Sequence, residues 1–243
     1  LLFGALTFYA YALLQLVVIL SGLIMLIVDW SYHFKDKKVP WLGVITLLVL
    51  ALPYVLFRIR HPESLGRHLS ILQSYWVGNA PLGSKLSEFF KRYIKGLDPR
   101  YWFLPNQTDL IRHQMKNIAH FPRLLSPFIA LAILKALSEI KKPAWRIALI
   151  ALLVSPSGAA LADVAITRNL VTVVPLAMLA CLGLDSHLRW LADKPKKAIL
   201  PVALVLIALI ASTSFMTHNA ITKASAWYHD YGLYGMQWGG KEL

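Results

Sequence analysis

Carboxylates are scarce in this chain: twelve Asp and Glu stand against twenty-five Lys and Arg in 243 residues, a net charge of +13. Charged residues of both signs make up only 15% of the sequence. Soluble domains carry about 25%, so the composition excludes an ordinary water-soluble domain. The single cysteine, Cys181, excludes an intrachain disulfide and reads most simply as a small residue of a buried helix. No Cys/His metal spacing, HExxH, P-loop or GxSxG sequence occurs, so no cofactor or metal is expected. Internal repeats are also missing, which removes solenoid architectures.

What is present is apolar sequence, 57% of the chain, gathered into six stretches: residues 1–28, 39–57, 121–138, 147–162, 169–184 and 198–217. A helix needs about 20 largely apolar residues to cross the hydrocarbon core. The pattern predicts an all-α membrane protein with about six transmembrane helices and an extracytoplasmic loop containing short amphipathic helices. Two helices fall in residues 1–57, the loop in 58–123, four helices in 124–217 and a second extracytoplasmic segment in 218–243. Ser155-Pro156-Ser157-Gly158 predicts an early end to the fourth helix, followed by a partly buried link over 159–168. Such irregular backbone at membrane depth must be buried in protein or line a wet cavity, which predicts a cavity near Arg168.

The short connectors set the orientation. The first, third and fifth carry Lys35, Lys37 and Lys38, then Lys135, Lys141, Lys142 and Arg146, then Arg189, Lys194, Lys196 and Lys197. Positive residues in short loops mark the cytoplasmic side. The N-terminus, the loop over 58–123 and the residues from His218 are therefore expected outside a cell membrane. That loop is itself basic, but long loops are translocated largely regardless of charge. The positive charge points to anionic membrane lipids as partners, and without a nucleic-acid motif it does not point to nucleic acid.

Within the loop, residues 65–77 predict an interfacial helix or a strand-like piece. Lys85 to Ile94 predicts an amphipathic helix with Leu86, Phe89, Phe90 and Tyr93 on one face and Lys85, Glu88, Lys91, Arg92 and Lys95 on the other. The loop is expected to lie on the membrane.

Candidate binding residues are cations and aromatics. Arg168, between Thr167 and Asn169 at the outer start of the fifth span, can grip a phosphate bidentately or reach lipid headgroups. Arg112 and His113 follow Asp109 downstream of Tyr101-Trp102-Phe103-Leu104. They read either as the edge of a sugar or phosphate pocket or as an interfacial belt with a local Asp109 to Arg112 pair. Arg67, beside His68, offers a phosphate or structural contact, and Tyr93 either stacks on a sugar or anchors its helix in the interface.

The order of these pieces resembles the extracytoplasmic loop of GT-C type membrane glycosyltransferases. The pieces are an arginine-containing stretch, Tyr93, the run Tyr101-Trp102-Phe103-Leu104, and Asp109-Leu110-Ile111-Arg112-His113. The likeness is closest to family-39-like enzymes, the protein O-mannosyltransferase-like and aminoarabinose transferase-like proteins. Ala165-Ile166-Thr167-Arg168 before Pro175 and Gly183 resembles the family's next landmark, and Tyr228 to Gly240 the passage to an external C-terminal domain.

The resemblance implies sugar transfer from a polyprenyl-phosphate sugar to an acceptor on the outer face. Arg168, Arg112 and His113 would hold the lipid phosphate. The family's essential carboxylate, in its first external loop, has no counterpart here, so the chain is expected to be the C-terminal half of a longer protein. The alternative is a noncatalytic membrane subunit or scaffold that docks a partner or lipid. A carrier is less compatible with spans almost free of ionisable groups.

Overall fold

The computed structural model describes residues 1–105, 108, 109, 113, 117–192 and 195–223. Among them every regular element is helical and no strand occurs. In chain order the helices are α1 (Leu2–Ala10), α2 (Leu14–Val28), α3 (Trp30–His33), α4 (Lys38–Arg60), α5 (Ser64–Ile71) and α6 (Leu82–Leu97). They continue with α7 (Pro99–Phe103), α8 (Ser126–Ser138), α9 (Pro143–Val154), α10 (Ile166–Asn169), α11 (Val173–Ala192) and α12 (Pro195–Lys223). The chain forms two compact units, one of Leu1–Gly96 with Ile150–Val164, the other of Leu97–Leu149 with the residues from Ala165 onward. The expected loop over 58–123 contributes to both.

Four segments among the described residues are long and apolar enough to cross a membrane: Lys38–Arg60, Pro143–Leu161, Ile166–Leu191 and Ile199–Asn219. The other two expected spans are helical but shorter. Residues 1–28 divide into the nine residues of α1 and the fifteen of α2, because Tyr11 is extended and ends α1. Residues 121–138 yield only the thirteen of α8, because Pro122 and a short 3-10 turn over Arg123–Leu125 precede its first turn.

In the first unit, α4 begins where the Asp36 carboxylate accepts the Lys38 backbone N–H at 2.9 Å. None of its 23 residues is buried, so its apolar surface is left for lipid. Pro53 interrupts its backbone ladder, and the Tyr9 hydroxyl enters the disturbed turn. It accepts the Tyr54 N–H at 3.2 Å and donates to the Leu50 carbonyl at 2.7 Å. Tyr54 in turn meets Phe8 edge to face, centroids 4.9 Å apart, and donates to Gln15 Oε1 at 3.3 Å. Three polar groups thus tie α1, α2 and α4 where apolar contact with lipid offers no preference for one helix over another.

The break after α9 is the densest part of this unit. Ser155, Pro156 and Ser157 form a buried 3-10 turn, and Ala159, Ala160 and Ala162 are fully buried beyond it. Gly158 faces Leu13, and a β-carbon there would lie 2.1 Å from the Leu13 carbonyl oxygen. Leu13, in the gap between α1 and α2, is buried as a result of this contact.

The second unit is built on α8 against α11. Ala132 and Ala136 of α8 and Leu179 of α11 are fully buried. Gly183 brings α11 so close that a β-carbon would lie 1.9 Å from the Phe128 carbonyl oxygen. Small residues at the crossing permit this approach, as in membrane helix pairs generally.

Candidate functional site

The link after α9 is held by side chains rather than by a helical ladder. Tyr75 Oη donates to the Ala160 carbonyl at 2.9 Å, Ser74 Oγ donates to the carbonyl of Leu161, and Arg92 Nη1 donates to that of Ala162. Three successive carbonyls are therefore taken by three side chains. Tyr93 Oη adds a fourth such bond, to Leu153 in the last turn of α9. Local sequence supplies the geometry. A 3-10 turn over Tyr75–Val77, capped by Ser74, aims the first two hydroxyls, and the i, i+1 pair Arg92 and Tyr93 on α6 supplies the other two donors.

Arg92 is itself fixed on several sides. Its Nε donates to Glu88 Oε1 at 2.7 Å, one turn back on α6, and its guanidinium lies 4.7 Å from the Tyr75 ring centroid. Asp163 Oδ1 stands 3.9 Å from Arg92 Nη1 and 3.7 Å from Lys95 Nζ. The hydrogen bond from Arg92 holds the Glu88 carboxyl below its ordinary value. Burial pushes the Tyr75 and Tyr93 phenols above theirs.

In the second unit a buried carboxylate organises the approach to Arg168. Asp109 has no exposed side-chain surface, and His120, bonded to it through Nε2 at 2.6 Å, has 8%. Tyr101 Oη donates to Asp109 Oδ2 at 3.1 Å, and the backbone N–H of Ile166, the first residue of α10, donates to Oδ1 at 3.1 Å. Helix α7 presents Tyr101 and the fully buried Trp102 after Asp98 caps its N-terminus, accepting the Arg100 N–H at 2.8 Å. His120 lies 5.1 Å from Tyr101 and 6.4 Å from Trp102, centroid to centroid. The Phe121 N–H donates to the Trp102 carbonyl at 2.9 Å, closing the segment onto α7.

The expected binding residues fall as follows. Arg168 is half-buried on α10, two residues beyond the N–H that Asp109 holds. His113 is half-buried, and Arg112 lies outside the described residues, as do Tyr228 to Gly240. Arg67 projects from α5 with 73% of its side chain exposed, 3.8 Å from Glu63. Tyr93 is turned inward onto the α9 carbonyl, with its ring stacked on Phe89 at 6.2 Å.

His120 and Ser74, which organise the two clusters, carry no local signal in the sequence. Each is defined by a partner that no helical or turn spacing announces: Asp109, 11 residues before the first, and Leu161, 87 residues beyond the second. Among the described residues no group of three metal-ligating side chains occurs. Comparison of the chain with family models, curated proteins and solved structures gives no match.

Proposed function

We propose that this chain is the membrane part of a glycosyltransferase that moves a sugar from a polyprenyl-phosphate sugar to an acceptor at the outer face of a cell membrane. The observation that carries this reading is the setting of Arg168. A half-buried guanidinium stands at the start of a membrane-length helical segment, Ile166–Leu191, on a turn whose first N–H is fixed by buried Asp109. A cation so placed suits a lipid-linked phosphate, whose charge increases as the sugar leaves. Arg112 and His113 are assigned to the same phosphate, and the acceptor's general base is assigned to another part of the protein.

The test is binding of a synthetic polyprenyl-phosphate sugar to the whole protein in nanodiscs. Arg168→Ala is expected to weaken binding by about 2 kcal/mol or more, roughly thirtyfold. Unchanged affinity in a variant that melts like the parent would overturn the reading.

One observation favours the second reading, a noncatalytic membrane subunit. Glu88, Asp98 and Asp109 each accept hydrogen bonds from neighbouring Arg, Tyr or His side chains, an arrangement suited to structure rather than to proton abstraction. A partner that copurifies in fixed ratio, with no dependence on donor lipid in either protein, would select it.

A further inference from the structure

Helix α6 divides its circumference into three faces, and only two of them are accounted for by protein and water. At about 100° per residue, Glu88, Phe89, Arg92 and Gly96 group on one side, Leu82, Leu86, Phe90 and Ile94 on a second, and Ser84, Ser87 and Lys91 on a third. The centres of these faces lie roughly 120° apart. The first face meets the protein: Arg92 reaches the Ala162 carbonyl, and Gly96 is buried. The third is polar and open, with Lys91 80% exposed.

The second face is apolar and open except at Tyr93, which falls between Leu82 and Leu86 around the helix and turns to the Leu153 carbonyl. Leu82 and Ile94 are each 64% exposed and Phe90 is 58% exposed. Four such side chains at successive i, i+4 positions make a continuous stripe along the helix. The rest of this part of the chain exposes apolar groups as well: Leu65, Ile71 and Val77 in and after α5. A compact protein-docking site concentrates its apolar surface in one patch with a polar rim. Here the apolar groups are distributed over α5, the following turn and α6, in a unit that also contains the wholly unburied span α4.

We infer that α6 is an in-plane membrane-surface helix. Leu82, Leu86, Phe90 and Ile94 are seated among the acyl chains just below the headgroups, and Lys91 lies at the headgroup level beside them. Charge fits this placement, since a lysine flanking an apolar stripe meets the anionic headgroups of a bilayer. The same helix, on its protein face, holds the carbonyls at the end of α9 and in the link. The bilayer surface therefore braces the clamp from outside. This inference is independent of the sugar chemistry proposed above.

The test uses the whole protein, with Cys181→Ala as background, in vesicles of phosphatidylcholine and phosphatidylglycerol. Nitroxide labels are placed singly through Leu86→Cys, Phe90→Cys, Ile94→Cys, Ser87→Cys and Lys91→Cys. The oxygen-to-nickel collision ratio is expected to be several-fold higher at 86, 90 and 94 than at 87 and 91, in variants that melt like the background protein. Equal ratios at all five positions would put the stripe in water and overturn the inference. Spin–spin broadening at 90 and 94 that disappears on dilution with unlabelled protein would also overturn it, because a second copy would then cover the stripe.

Discussion

Glu88 and Tyr9 show how single polar atoms act in a chain with so few of them. Glu88 is ionised more readily in the folded protein because Arg92 donates to it, so its folded value lies below the ordinary 4.5. The sign follows from linkage: the contribution is present above the unfolded value and is lost as pH falls through the folded one. Acidification below the ordinary Glu range should therefore loosen α6 from the link. Hydrogen exchange at residues 160–163 measures this, and Glu88→Gln should remove the acid-dependent part. Tyr9→Phe leaves the Leu50 carbonyl and Tyr54 N–H without the hydroxyl between them. It should cost about 1 kcal/mol, read as a lowered thermal midpoint in detergent. Pro53→Ala should reduce that cost, because a continuous ladder re-pairs the two groups without help. Asp109 was legible only as a neighbour of Arg112. Its partners Tyr101, His120 and the Ile166 N–H answer a tertiary need that no spacing announces.

Among the elements, the legible ones were those whose causes are local. The long apolar runs of α4 and α12 and the stop at Ser155–Ser157 follow from composition and from proline. The gap between α1 and α2 has neither Pro nor Gly within it and arises where Leu13 meets Gly158, 145 positions away by subtraction. Helix α6 was legible as amphipathic, but its faces were not. Glu88 and Arg92 look like a water-facing pair until the unpaired carbonyls of a distant link are known. At the α8–α11 crossing, Gly183→Ala must push the helices apart and should destabilise the protein by about 1–3 kcal/mol. Gly22→Ala is the control, since nothing lies within 4 Å of the position a β-carbon would take there. Thermal midpoints in the same detergent compare the two, and equal midpoints would contradict the close approach.

For the whole molecule, α8 decides the side on which each connector lies. Its thirteen residues rise about 20 Å, short of the roughly 30 Å hydrocarbon core. By the positive-inside pattern, the cluster Lys141, Lys142 and Arg146 leads us to expect its C-terminal end on the cytoplasmic side. Ser87→Cys should react with a membrane-impermeant maleimide in intact cells, and Lys141→Cys should react only after permeabilisation, both with Cys181→Ala. Labelling of both from the same side would mean that α8 does not cross and would reverse the assignment for one of the two basic segments.

The clamp on residues 160–162 also bears on how the protein tolerates change. Those residues are Ala, Leu and Ala, and what fixes their path is the chemistry of Ser74, Tyr75 and Arg92. In a saturation scan, the link itself should be limited by side-chain size and should accept any residue that fits. The three distant positions should be limited by their donor groups. The instructions for one stretch of backbone are thus written in another, and a lesion that misroutes the link is to be sought some seventy to ninety residues upstream of it.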